Sequence, residues 1–348
     1  MTMPIAIYFV SGVVLISLTF YVLTGGADYG GGVWDLLATG PRAYLQRDLL
    51  ERAIGPIWEA DHVWLILVIV ILFTGFPPAF GAIMIGLHVP LTLMLIGIVM
   101  RGSAFSFRSY GGGSDRAERR WGRVFAIASL ITPLLLGVVV GAIAAGRVPS
   151  RPQQMADFFL PWMTPFCFGV GFFALVLFAY LAACYAPLET EDEQLRDDFR
   201  LRALLSGVLL GIVAAIVLLL SRSEAPLIWD GLTQRAWTWP LMWTNGLAAI
   251  GALYALWRRY FDLARVLAAA HAGLILWGWA FAQFPYLVPL NWTIYNAAAP
   301  RTTMAFLAGA LAAGATILLP SYRYLIRVFK AHPERHRRTR QGGPYPAS

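Results

Sequence analysis

Four ionisable residues lie in or beside long apolar stretches of the chain, where charged side chains are rare. Asp28 follows the first stretch within a run of glycines, and Glu59, Asp61 and His62 stand at the start of the second. An ionisable group at membrane depth is costly and usually has a function. Because carboxylates and imidazoles can take up and release protons, these four residues form a candidate proton pathway.

The same residues also have a simpler structural interpretation. Carboxylates in the first turn of a helix are stabilised by the helix dipole, which would account for Glu59 and Asp61. The glycines around Asp28 permit tight turns and close backbone approach, so that Asp28 could cap such a turn. His62 lies three residues after Glu59, on the same helical face and within reach of it. The sequence leaves both interpretations open.

The elements that position these residues are predicted from composition. The 348 residues are 58% apolar and 13% charged, whereas a soluble domain has about 25% charged residues. Nine apolar stretches approach the roughly 20 residues that cross a bilayer. They are Ile5–Leu23, Asp61–Gly75, Phe80–Met100, Val124–Gly146, Leu160–Cys184, Ala203–Leu220, Pro240–Trp257, Leu263–Phe284 and Thr303–Ile326. The sequence therefore predicts an all-α integral membrane protein of about nine transmembrane helices, with one polytopic domain at 1–330 and a basic tail at 331–348.

The arginines and lysines predict the orientation of these helices. The odd-numbered connections and the tail carry 22 of them, from Arg42 onward and including six between Arg101 and Arg123, and the remaining segments carry five. Basic residues concentrate on the cytoplasmic side. The N-terminus is therefore expected outside and the C-terminus in the cytoplasm, with the tail as a topology anchor rather than a nucleic-acid site.

Metal-binding patterns are weak in this sequence. Cys167 and Cys184 lie 17 residues apart in one predicted helix, too far apart to pair. His88 and His271 lie within predicted helices, and a hydrogen-bonded core histidine is favoured over a haem ligand for each. We expect no metal site and no catalytic residue on this chain.

Several motifs resemble subunit II of the cytochrome bd-type quinol oxidases. An acidic residue flanked by glycines ends the first helix in that family, and Asp28 stands there. The run from Pro56 to Ile66, which contains Trp58 and Trp64, resembles the family's opening of the second helix. Further similar segments are Arg101–Arg108 after the third helix and Thr293–Ala297, with Asn296, near the end.

The resemblance implies a fold of two four-helix bundles plus one extra helix in a bacterial inner membrane. It implies a haem-free partner of a larger subunit I, which would carry haem b and haem d, oxidise quinol and reduce oxygen to water. A structural quinone, membrane lipid and small single-helix accessory subunits are further expected partners, although no residue is assigned to a quinone. The resemblance also implies that this chain contributes to proton uptake from the cytoplasm.

The sequence departs from the family pattern at the candidate pathway. A second acid that the family has near Asp28 is Gly25 here, and the usual Asp-Gly-Asn is Glu59-Ala60-Asp61. A related complex with another electron donor or acceptor is therefore an alternative. A secondary transporter is a further alternative, but such folds favour internal repeats, and none is apparent here.

Overall fold

The computed structural model describes residues 2–54, 58–110, 115–149 and 153–330, without the side chains at 54, 58–59, 108–110, 115–119 and 325–330. Thirteen α-helices make up most of this described part. They are α1 Met3–Leu23, α2 Gly25–Leu36, α3 Ala43–Ile54, α4 Trp58–Gly75, α5 Pro77–Gly86, α6 His88–Tyr110, α7 Asp115–Ala144, α8 Pro165–Tyr185, α9 Glu193–Glu224, α10 Pro226–Thr233, α11 Thr238–Trp257, α12 Phe261–Gln283 and α13 Arg301–Lys330. Two short strands, β1 Tyr286–Val288 and β2 Trp292–Thr293, pair antiparallel.

The long helices follow from the apolar composition, because a lipid-exposed backbone must satisfy its hydrogen bonds within its own segment. Capping residues and prolines mark the N-termini of these helices in the sequence. Thr164 caps α8 by accepting a hydrogen bond from the Cys167 amide, and Pro165 occupies the first turn. Asp192 caps α9 by accepting from the amides of Gln194 and Leu195. Both features are typical of helix N-termini.

The helices form the predicted two bundles and one extra helix. The first bundle contains α1 with its continuation α2, α4, α6 and α7, and the second contains α8, α9, α11 and α12. α2 packs against both α7 and α8 and so joins the bundles, while α13 packs against α1 and α4. The interior of the first bundle is therefore bordered by α2, where Asp28 lies.

The number of membrane-length segments agrees with the prediction of about nine. Within the described residues, seven helices are long and apolar enough to cross a membrane, and the bent pair α4 and α5 is an eighth candidate. The 20-residue helix α11 lies at the predicted seventh position but is not one of these candidates. The connection between the first two predicted segments contains a further helix, α3.

Two predicted segments differ in their bounds. The third was predicted to begin at Phe80, but α5 turns away from α4 by 117° and the long helix α6 begins only at His88. Pro77 starts α5, because proline fits the first helical turn but not the interior of a continued α4. The glycine run after Leu23 was expected to form a tight turn, yet residues 25–36 continue the first helix. Asp28 therefore lies within a helix.

Candidate functional site

The glycines of α2 allow this helix to lie directly against its neighbours. A Cβ atom on Gly30 would lie 1.9 Å from the Phe178 carbonyl oxygen on α8, and one on Gly32 would lie 2.2 Å from Ser129 Oγ on α7. Small residues permit such contacts between membrane helices. The predicted close approach at these glycines is confirmed, and it places Asp28 inside the bundle.

Asp28 forms a buried ion pair with Arg101 of α6. Arg101 Nη2 lies 2.9 Å from Asp28 Oδ2, and the two side chains are 2% and 5% exposed. Arg101 Nε donates to Ser129 Oγ at 3.0 Å, and its guanidinium lies over the rings of Tyr29 and Phe125 at 4.5 and 5.0 Å. The pair thus connects α2, α6 and α7, and each charge offsets the burial of the other.

Asp61 and His62 extend this arrangement toward the start of α4. Asp61 is 3% exposed, and a Cβ atom on Gly25 would lie 3.6 Å from the Asp61 Cβ atom. The His62 ring lies 6.4 Å from the ring of Tyr21 and 6.5 Å from that of Tyr29. The Tyr21 hydroxyl donates to the Tyr29 hydroxyl at 3.4 Å.

These side chains form one continuous group, which we call the buried polar cluster. Its members are Asp28, Tyr29, Arg101, Ser129, Tyr21, Asp61 and His62. Asp61 lies one turn inside the start of α4, whereas Asp28 lies eight residues before the end of α2, or roughly 12 Å along the helix axis. Because Asp61 lies against Gly25, one turn of α2 before Asp28, both carboxylates lie in the interior of the first bundle.

Comparison with known proteins identifies the family of this chain. The family model described as "Cytochrome bd terminal oxidase subunit II" matches residues 6–329. The chain belongs to the cytochrome bd oxidase subunit II family.

Similar relatives come from several bacteria. A putative cytochrome bd menaquinol oxidase subunit II of Bacillus subtilis is 22% identical over 93% of this chain and 94% of its own length. A cytochrome bd ubiquinol oxidase subunit 2 of the same organism is 34% identical, over 29% of this chain and 30% of its own length. The cytochrome bd-I ubiquinol oxidase subunit 2 of Escherichia coli is 27% identical over 52% of this chain and 48% of its own length.

A solved structure supports the fold. The structure of bd oxidase from Geobacillus thermodenitrificans matches with a TM-score of 0.71 and 20% identity, over 93% of this chain and 98% of that chain. The resemblance to the subunit II family and the predicted all-α membrane fold are therefore confirmed.

The remaining motif residues of this subunit II have packing roles where they are described. Trp64 is buried and stacks on Phe20, with ring centroids 4.5 Å apart. Asn296 Oδ1 accepts from the Thr293 amide at 2.6 Å, and Asn296 Nδ2 donates to the Asn291 carbonyl, which holds the turn after β2. The side chains of Trp58, Glu59 and Arg108 lie outside the described residues.

Sequence analysis missed the role of Arg101. It was counted with the loop arginines after the third helix, but it is buried within α6 as the partner of Asp28. Its position directly after an apolar stretch was compatible with either placement. Ser129 and Tyr29 were also missed, because neutral polar residues in apolar helices carry no signal of their own.

The histidines of this subunit II differ in their surroundings. His271 Nδ1 lies 2.8 Å from Asn245 Oδ1, in a partly buried position, as expected for a hydrogen-bonded core histidine. His88 is exposed at the start of α6, with Nδ1 3.3 Å from the Ile85 carbonyl, so the prediction of a core position was wrong there. Among the described residues, no three His, Cys, Asp or Glu side chains are grouped to hold a metal ion.

Proposed function

We propose that this chain is the subunit II of a bd-type terminal oxidase complex that oxidises quinol and reduces oxygen to water in a bacterial inner membrane. The observation that carries the proposal is the family match across residues 6–329. Relatives whose names specify ubiquinol and menaquinol both resemble this chain, so the donor is assigned as a quinol of unspecified ring type.

The haems are assigned to a partner subunit I, as haem b and haem d. His88 and His271 do not fit an axial pair with each other, because His88 lies in the first bundle and His271 in the second, where it contacts Asn245. Two axial ligands must face each other across one haem. Subunit II therefore serves as the haem-free partner that packs against the catalytic subunit. A structural quinone and single-helix accessory subunits stay predictions, and no residue is assigned to them.

The proposed contribution of this chain to the chemistry is proton uptake from the cytoplasmic side through Asp28, Glu59, Asp61 and His62. Asp61 and His62 lie near the start of α4 within the buried polar cluster, and Glu59 precedes His62 by one turn of α4. Protons would pass from Glu59 to this pair and then to the Tyr21 and Tyr29 hydroxyls.

Asp28 has a different part in this pathway. Arginine stays charged in proteins, and Arg101 lies against Asp28 at 2.9 Å, so the pair holds a fixed arrangement of charges within the cluster. Asp28 and Arg101 orient the Tyr29 side of the cluster, while Glu59, Asp61 and His62 transfer the protons.

Co-purification tests the assignment of function directly. The complex is purified through a tag placed after Ser348, and its reduced-minus-oxidised spectrum and its quinol-driven oxygen consumption are measured. We expect bands of haem b and haem d on a second, larger chain, together with oxygen consumption. Purification of a stable complex that lacks haem would favour the transporter, and a haem complex inactive with quinols would favour another donor.

A further inference from the structure

A cavity of about 250 Å³ opens between α3 and the start of α9, outside the buried polar cluster. Its polar wall contains Arg42, Gln46, Asp198 and Arg202, and its apolar wall contains Leu201 and Leu205. Two arginines and one carboxylate line it, so its wall carries a net positive charge. The proton pathway uses none of these residues.

Arg42 and Arg202 differ in how many of their guanidinium N–H groups donate a hydrogen bond. Arg42 makes a bidentate contact with Asp198, through Nε at 2.9 Å and Nη2 at 2.6 Å. Gln46 donates to the same carboxylate at 2.8 Å and accepts from Arg202 Nη2 at 2.7 Å. Asp198 thus accepts three hydrogen bonds from Arg42 and Gln46.

Arg202 retains an unused donor. Its Nη1 is buried and has no hydrogen-bond partner among the described residues. Its guanidinium is held in place over the rings of Trp34 and Phe199, at 5.3 and 4.9 Å. Since Asp198 is paired with Arg42, the charge of Arg202 on the cavity wall lacks a carboxylate of its own among the lining residues, and an anionic oxygen in the cavity would compensate it.

The position of the cavity indicates the source of this anion. Leu201 and Leu205 are 59% and 62% exposed, and they begin the apolar part of α9 that lies in the bilayer. On the other side, α3 exposes Tyr44 and Leu45 next to the charged residues, as amphipathic helices at a membrane surface do. The cavity therefore lies where headgroups meet acyl chains, with charges on one side and an apolar wall on the other.

We infer that this cavity binds the phosphate of an anionic phospholipid. The guanidinium charge of Arg202 attracts the phosphodiester, Arg42 lies beside it on the same wall, and an acyl chain follows Leu201 and Leu205 along α9. Basic pockets between transmembrane helices are known to take anionic headgroups. This inference depends neither on the electron donor nor on the proton pathway.

Lipid retention by the purified complex tests the inference. The complex, purified through a tag on this chain, is delipidated and incubated with vesicles of phosphatidylglycerol and phosphatidylcholine, and bound lipid is quantified by mass spectrometry. We expect Arg202→Gln to weaken phosphatidylglycerol binding at one site by about tenfold, which corresponds to about 1.4 kcal/mol. Arg222→Gln, near the opposite end of the same helix, is the matched control and should bind normally.

A second variant tests the apolar wall of the cavity without changing any charge. Leu205→Trp fills the apolar wall and should also reduce phosphatidylglycerol retention, even if Arg202→Gln fails to assemble. Inorganic phosphate should not compete at millimolar concentration, because it lacks an acyl chain. Equal retention in all variants, equal binding of phosphatidylcholine, or displacement by free phosphate would each overturn the inference.

Discussion

At the scale of single residues, the ion pair of Asp28 and Arg101 holds three helices together within the membrane. Both side chains are almost fully buried, so their charges are compensated by each other and by Ser129 rather than by water. The removal of one partner leaves the other as an unpaired buried charge, which costs about 3 to 5 kcal/mol. The pair is therefore expected to control assembly more strongly than it controls proton transfer.

We expect Asp28→Asn to lower the thermal stability and the haem content of the complex, because it leaves the Arg101 charge buried without a counterion. The measurement is the yield of haem-loaded complex and its unfolding temperature. The double variant Asp28→Asn/Arg101→Gln removes both charges and should recover much of the loss. A double variant no better than Asp28→Asn alone would show that the charge pair is not the cause.

A second prediction at this scale concerns His88 and His271. Because neither is assigned to a haem, His88→Ala and His271→Ala should leave every haem band of the assembled complex unchanged. His271→Ala should only reduce stability, since it leaves the Asn245 side chain without its partner. Loss of one specific band from a complex of normal yield would place a haem ligand on this chain.

Sequence reasoning succeeded for some of these residues and failed for others. Asp28, Asp61 and His62 could be selected, because a charge among apolar residues stands out. Arg101 could not be assigned to Asp28, because the pairing depends on how α2 and α6 pack, and an arginine at the end of an apolar stretch fits a loop equally well.

At the scale of helices, α2 depends on its glycine face. Gly30 lies against the backbone of α8 at Phe178 and Gly32 against Ser129 of α7. The glycine run suggested a tight turn because glycine permits one, but the structure uses the absence of a side chain for helix packing. The sequence could predict close approach at these positions but not the form of the backbone.

We expect Gly30→Ala to destabilise the bundle by about 1 to 3 kcal/mol or more, because the added methyl group meets a carbonyl oxygen that cannot move independently of its helix. Gly12→Ala is the matched control on the same continuous span, since a Cβ atom there would meet nothing within 4 Å. The measurement is thermal unfolding of the complex. Equal unfolding temperatures for the two variants would refute the packing argument.

Helix ends were harder to predict than helix existence. The third apolar stretch appeared continuous from Phe80, but α5 ends within it at Gly86 and α6 begins at His88. The charged and apolar residues of α3 alternate with a helical period, a signal in the sequence from which this helix can be recognised.

At the scale of the whole molecule, the distribution of basic residues predicts the orientation. The removal of Arg101 from the loop count leaves the asymmetry nearly unchanged, since one arginine among 22 is lost from the predicted cytoplasmic face. A reporter fused after Ser348 should be active only if it is of a kind that functions in the cytoplasm. Activity of an export-dependent reporter at that position would contradict the predicted topology.

The central claim is that this subunit conducts protons from the cytoplasm to the oxidase, and the turnover of the Glu59→Gln complex tests it most directly. Glutamine keeps the shape and much of the hydrogen bonding of Glu59 but cannot carry a proton. Asp262→Asn is the matched control, because Asp262 is an exposed carboxylate in the first turn of α12, outside the buried polar cluster.

Oxygen consumption driven by quinol is measured for both variants at normal haem content and across a range of pH. The account predicts that Glu59→Gln slows turnover by on the order of 100-fold and changes its pH dependence, as expected for loss of a positioned proton-transfer group, while Asp262→Asn behaves as the unmodified complex. Full activity and unchanged pH dependence of Glu59→Gln, alone and combined with Asp61→Asn, would contradict the account.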